Sequence, residues 1–233
     1  MSTSPIAAMF DRISPKYDAL NHLLSLNIDK VWRRKTAKMV AQSHPKTILD
    51  LATGTADLAI ALAKRNPQAH IIGVDISEKM LSIGKEKIEK QELGNQIELR
   101  VGNAAILPFE DNTFDAITVA FGVRNFEDLD KGLSEIVRLT KAGGQVVILE
   151  FSMPERFPVK QLYRLYFKRF LPLIGKAVSK DENAYAYLPQ SVERFPSPNE
   201  FLQILSEKGL EQASAKRLSF GISTLYAASK SQT

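Results

Sequence analysis

The sequence predicts a doubly wound α/β protein: a mainly parallel sheet finished by an antiparallel hairpin. Three observations predict it. Five short apolar runs alternate with helix-patterned stretches between Thr47 and Phe151, the interval expected of parallel strands joined by right-handed crossovers. The first such unit, ILDLATGTADLAIALAKRNPQAHIIGVD from Ile48 to Asp75, ends its second apolar run on an acid, the order of a nucleotide-type site. Near the end, Leu210 to Leu218 and Gly221 to Ala228 read as two strands about a short turn, a hairpin that adds to the sheet.

Residues 1 to about 45 are patterned as helix, with Met9, Phe10, Ile13, Tyr17, Leu20, Leu23 and Leu24 at three- and four-residue steps. Pro15 interrupts the pattern, so two or more short helices are expected there. DKVWRRKTAK, Asp29 to Lys38, follows as a basic helix with the only tryptophan inside. Thr47 to Leu51 is the first strand, Ala52 to Thr55 a small-residue turn, DLAIALAKR a helix and His70 to Val74 the second strand. Ser77 caps a helix to about Glu92, with Met80, Leu81 and Ile88 on its apolar face, and Gly94 and Asn95 end it. Gln96 to Val101 is the third strand and Phe114 to Ala120 a fourth, buried on both faces. Leu129 to Leu139 is a helix, KAGG a turn and Gln145 to Phe151 the fifth strand. Ser197 caps a last helix that starts on Pro198 and stops at Gly209.

A chain of 233 residues, 44% hydrophobic and 24% charged, suits one domain with a sizeable core. The absence of cysteine excludes disulfides, thiolate metal sites and a cysteine nucleophile. Three histidines without HxxxH or HxxE spacing give no reason to expect a metal. No signal peptide or membrane span is read, so a cytoplasmic location is expected. Seven bases and no acid fall between Arg156 and Lys180, within a net charge of +5, which leaves the remainder at −2. So local an excess argues against a general nucleic-acid binder.

The loops after the first three strands converge on one crevice in such a sheet. Gly54 and Thr55 are placed at the amino-acid or ribose portion of a ligand, Asp75 at its ribose hydroxyls, and Asn103 with Ala104 at an adenine edge. A dinucleotide also needs a glycine-rich turn for its phosphates. Here the loop holds a single glycine and the helix opens on Asp57, which would repel a pyrophosphate. A phosphate-free, positively charged adenosine ligand, S-adenosyl-L-methionine, suits the site better.

LDLATGTADLA, GVDISEKML, FGVRNF and ILEFSMP, with the N-terminal MFDRISPKYDALNHLLSLNIDKVWRR and the late YLPQSVERFP, together resemble the ubiquinone/menaquinone biosynthesis C-methyltransferases over nearly the whole sequence. The resemblance implies a Rossmann-like seven-stranded sheet of the class I S-adenosylmethionine-dependent type. From their own patterning residues 1–45 are read as a helical lid, and 154–189, rich in aromatics and bases, as an insertion covering the substrate site. The resemblance also implies C-methylation of a membrane-embedded prenylated quinol, demethylmenaquinol first and the 2-polyprenyl-6-methoxy-1,4-benzoquinol precursor as the alternative. A soluble small-molecule or sterol acceptor, and a non-catalytic scaffold of a quinone-biosynthesis complex, are the competing readings. Thr53 and Ala56 stand where the family often has glycine, and Ala120 where it often has serine.

A ring carbon becomes nucleophilic when the neighbouring hydroxyl loses its proton. Arg124 is read as the residue that stabilises the resulting phenolate, with Asp57 and Tyr17 as polar partners. Leu162, Tyr166 and Phe170 alternate with Lys160, Arg164, Lys168 and Arg169, a pattern suited either to transient contact with an anionic membrane surface or to a cap over the pocket. Whether the protein is a homodimer is left open.

Overall fold

The computed structural model describes residues 5–25, 27–165, 169 and 182–232. Helices α1 (Pro5–Leu24) and α2 (Ile28–Val40) precede strand β1 (Thr47–Leu51). Then come α3 (Asp57–Arg65), β2 (His70–Asp75), α4 (Glu78–Lys90), β3 (Ile97–Val101), β4 (Phe114–Ala120), α5 (Leu129–Leu139) and β5 (Thr140–Phe151). Among the described residues α6 (Val159–Leu165), α7 (Glu182–Arg194), α8 (Pro198–Glu207), β6 (Leu210–Leu218) and β7 (Ser223–Lys230) complete the fold.

The strands form one seven-stranded sheet in the order β3-β2-β1-β4-β5-β7-β6. The first five are parallel, and β7 lies antiparallel between β5 and β6. Because side chains alternate across a strand, Ile48 and Ile71 face the helices α2 and α3, where Trp32, Val40, Leu58 and Leu62 are buried. Leu49 and Ile72 face the other layer, with Leu133 and Ile136 of α5 and Phe201 and Leu205 of α8. Each such fully buried apolar residue contributes about 1.5–3 kcal/mol.

Four local expectations need correction. Pro15 does not divide the N-terminal segment, because α1 runs through it. The Asp11 carbonyl, which a proline cannot serve, accepts the Ser14 hydroxyl at 3.1 Å instead, and the proline is exposed. KAGG lies inside β5 as a bulge, since β4 pairs Phe114 with Thr140 but Ala116 with Gln145. After α4 the left-handed residue is Glu92, not Gly94. The last strand starts at Ser223 because residues 219–221 are a left-handed turn.

Of the basic aromatic insertion, α6 and α7 are described. Tyr166, Lys168 and Phe170 lie outside the described residues, as do the surroundings of the Arg164 side chain.

Candidate active site

Strand order reverses between β1 and β4, and the crevice at their C-terminal ends is the expected ligand site of an open α/β sheet. A crevice opens there. Its floor is Leu51, Ala52 and Gly54 after β1, Val74 to Ile76 at the end of β2, Gly102 to Ala105 after β3 and Ala120 to Gly122 after β4. Ile6, Phe10 and Tyr17 of α1 cross it. These three share one helix face, four and seven residues apart.

Asp75 is gripped by backbone. Its Oδ2 accepts from the Gly54 N–H at 2.8 Å and its Oδ1 from the Ser77 N–H at 2.9 Å. Each oxygen keeps acceptor capacity for one further hydroxyl, which is what a vicinal diol needs. Burial pushes this carboxyl up, while the backbone N–H groups of Ser77, Gly54 and Ile76 pull it back and Asp11 adds to the rise. Gly54 has φ +57° with open space beside it, so conformation, not crowding, asks for glycine. Ala52 and Ala56 take the same left-handed region at φ 54° and 64°, which costs a residue with a Cβ roughly 1–2 kcal/mol.

Asp50 lies just beneath, fully buried on β1. It accepts from Thr53 at 2.6 Å and Thr118 at 2.7 Å. Burial outweighs those bonds and pushes its carboxyl up to about 6. Asn103 Oδ1 accepts from the Ala105 N–H at 2.9 Å and so sets the loop after β3.

Gly54, Asp75, Asn103, Ala104 and Tyr17 therefore meet at the crevice. Thr55, Asp57 and Arg124 are not among its lining residues. Thr55 is buried, donating to Asp18 at 2.6 Å and accepting from Lys87 at 2.9 Å. Asp57 points away from the crevice to Lys87 at 2.6 Å, with His22 at 3.8 Å and Arg33 at 3.9 Å. Its charge is thus balanced on the far side of the loop. His22, Asp29 and Asp57 are close enough to share a cation, but Arg33 and Lys87 already hold the two carboxylates.

Arg124 lies behind the wall. Its Nη1 donates to Glu150 Oε1 and to the Phe121 carbonyl, both at 2.6 Å, and its guanidinium lies 5.3 Å from the Phe151 ring. Both charged side chains are almost fully buried. Tyr17 is edge-on to Phe10 at 5.9 Å. Burial pushes its phenol up, against the pull of Arg124, the Asn21 hydrogen bond and Arg33.

Several crevice residues escape a reading of the sequence. Phe10 precedes Tyr17 by seven residues, as Asp11 precedes Asp18, a helical spacing that marks two faces of α1. One pair lines the cavity, and the other ties α1 to the loops through Ser77 and Thr55. Asn125 also lines the cavity and accepts from Tyr187 of α7 at 2.9 Å, a link no sequence signal marks.

Among the described residues the lining carries three carboxylates, Asp75, Glu127 and Asp128, and no lysine or arginine. That surface opposes a pyrophosphate and favours a cation. Asp75 would suit a dinucleotide's ribose as well, so it is the added acids Glu127 and Asp128, and not Asp57, that disfavour a pyrophosphate.

A seven-stranded sheet with a reversed last strand, an acid closing β2 and a crevice at the switch point define the class I methyltransferase fold. A solved methyltransferase from Thermotoga maritima, described as a possible histamine N-methyltransferase, has this fold: TM-score 0.69, 17% identity, 97% of this chain and 99% of that one covered. A family model described as the ubiE/COQ5 methyltransferase family matches residues 1–230, and the chain belongs to that family. It is 49% identical over 225 residues to the demethylmenaquinone methyltransferase of Bacteroides fragilis, covering 97% of this chain and 92% of the relative. It is 42% identical to the ubiquinone/menaquinone biosynthesis C-methyltransferase of Geobacter sulfurreducens, with 97% and 88% covered. The protein is an S-adenosylmethionine-dependent methyltransferase of quinone biosynthesis.

Proposed function

We propose that the enzyme methylates a ring carbon of a prenylated quinol, with demethylmenaquinol as the acceptor. The observation that carries this reading is the make-up of the crevice. Its lining joins the hydrogen-bonding groups of Asp75, Gly54 and Asn103 to four aromatic rings, Phe10, Tyr17, Phe121 and Phe126. The demethylmenaquinone methyltransferase relatives from Bacteroides fragilis and Porphyromonas gingivalis, 49% and 40% identical, favour the naphthoquinol over the benzoquinol.

S-adenosylmethionine supplies an electrophilic methyl group when bound. The acceptor capacity of Asp75 suits its ribose hydroxyls, and Glu127 and Asp128 balance its positive charge. The Asn103 and Ala104 loop receives the adenine edge, with Val74, Ile76 and Met80 as apolar walls. The aromatic residues keep water from the quinol ring, which favours a step that removes charge, and much of the acceleration comes from alignment. Tyr17 keeps its proton at Oη and donates it in a hydrogen bond to a quinol oxygen. Arg124 supports the phenolate indirectly, by setting the Phe121 carbonyl and the turn that carries Asn125. The 1–45 segment acts as the lid and the 154–189 segment as the substrate cover.

The test is incubation with S-adenosylmethionine and chemically reduced demethylmenaquinone, read by mass spectrometry. A product heavier by one ring methyl is expected. Methylation of the benzoquinol precursor alone would replace the substrate assignment, and S-adenosylmethionine binding without any transfer would revive the scaffold reading.

A further inference from the structure

Exposed large apolar side chains gather at the crevice end of the sheet. Phe220 is 83% exposed. It stands in a run of three left-handed residues, Ser219, Phe220 and Gly221, at φ 45°, 60° and 92°. For a bulky side chain that backbone is costly, so folding spends stability and leaves the ring in solvent.

The turn is anchored to α2, where Trp32 Nε1 donates to Ser219 Oγ at 2.9 Å. Trp32 in turn lies 6.0 Å from Phe121 and 6.1 Å from Phe151, and those two rings are stacked at 4.4 Å. Phe121 lines the crevice, so the turn and the cavity are joined by one aromatic cluster.

Beside Trp32, α2 carries an outward stripe of Ile28, Val31 and Lys35, spaced three and four residues apart. Ile28 and Val31 are 38% and 44% exposed. The only acid of α2, Asp29, is buried, so its exposed charges are all basic. Lys30 and Arg34, on the next stripe, line a groove with Arg33, Lys64 and Arg65. The groove's one carboxylate, Asp57, is already held by Lys87, so apolar tips next to a mainly basic surface match a bilayer that presents anionic headgroups over an apolar boundary.

We infer that Phe220, Ile28 and Val31, flanked by Lys35 and the Lys30–Arg34 groove, form the surface that seats the enzyme on an anionic bilayer. The Trp32–Phe121 contact ties this surface to the crevice wall, and an enzyme seated there meets a prenylated quinol in the bilayer that holds its tail. The inference deepens the quinol reading and rests on it for its purpose, though not for its binding test. Charge complementarity selects the occupant, since a second copy of this protein would bring the same basic surface face to face with itself.

The test is co-sedimentation of the full-length protein with vesicles of equimolar phosphatidylcholine and phosphatidylglycerol, and with phosphatidylcholine alone. Wild type is expected to bind the mixed vesicles and to lose binding as salt rises. Phe220→Ser and Val31→Ser should each weaken it by about fivefold, and Lys35→Ser by about fivefold at low ionic strength. Phe220→Gly fits the left-handed backbone, so its thermal midpoint should hold or rise while vesicle binding falls, which separates a surface role from a folding one. Turnover of a quinol with a truncated, water-soluble tail should be unchanged in all four variants, while turnover of a vesicle-embedded quinol drops. Wild-type binding by every variant overturns the inference. So does a solution dimer that Phe220→Ser dissolves, which would give the patch to a second copy. If neither quinol is methylated but vesicle binding still depends on Phe220, the substrate reading fails and the bilayer surface stands.

Discussion

The two walls of the crevice are built from different forces. On the β1–β2 side, Asp75 is held by the N–H groups of Gly54 and Ser77, and the loop keeps its shape through backbone conformation. On the β4–β5 side, the turn at Phe121 and Asn125 hangs on a buried pair of full charges, Arg124 and Glu150. A carboxylate bonded by backbone N–H groups leaves no full charge behind when its own charge is removed, only one N–H to be satisfied again. A buried ion pair does not tolerate loss of one partner, because the other charge stays behind in low dielectric. One wall is specialised for contact with a ligand, and the other for holding its shape.

The largest effect should come from the charged wall. Arg124→Ala strands Glu150, which is fully buried, and should lower stability in urea by about 3–5 kcal/mol. Replacing both residues by apolar ones should recover most of that. A loss below about 1 kcal/mol would erase the contrast between the walls.

Next is the acid under the other wall. Burial holds the Asp50 carboxyl at about 6 against an ordinary value of 3.8. Below about pH 4 the group is protonated in both the folded and the unfolded protein, and its contribution is fully present. As pH rises through about 6 the folded protein gives up a proton from a buried site, and that contribution is lost, about 3 kcal/mol in all. Thermal midpoints between those pH values should fall more steeply for wild type than for Asp50→Asn. Parallel curves would show that Asp50 takes no part in the dependence.

The smallest effect on the fold belongs to Asp75. Asp75→Asn keeps an oxygen for one backbone N–H and sets its amide nitrogen against the other, a loss offset by no longer burying a charge, so the thermal midpoint should move little. Affinity for S-adenosylmethionine should fall about ten- to a hundredfold in titration calorimetry, the worth of hydrogen bonds to a charged acceptor. A large loss of stability with unchanged affinity would reverse the roles of the two walls.

Much of the fold was legible in the residues. Strands β1, β2 and β4 and helix α5 fall where their periodicity put them, and Ser77 caps α4 by accepting from the Met80 N–H. The errors were local and have local causes. At Pro15 a neighbouring hydroxyl supplies the missing donor, and at Lys141 to Gly144 a bulge keeps the strand going.

The site divided in another way. Asp75, Gly54 and Asn103 could be placed because a residue at the end of a parallel strand has its position set by its neighbours in sequence. For Asp57 and Arg124 the motif named the residue and left its direction open. Their partners stand 30 and 26 residues further along, Lys87 on α4 and Glu150 on β5. By itself, then, the sequence determined the sheet, the acid-tipped strand and the family. The tertiary structure decided which side of each loop the charges face, that α1 lines the crevice and that Phe220 stands in solvent. Those outcomes depend on contacts between elements distant in sequence, where burial and ion pairing outweigh local preference.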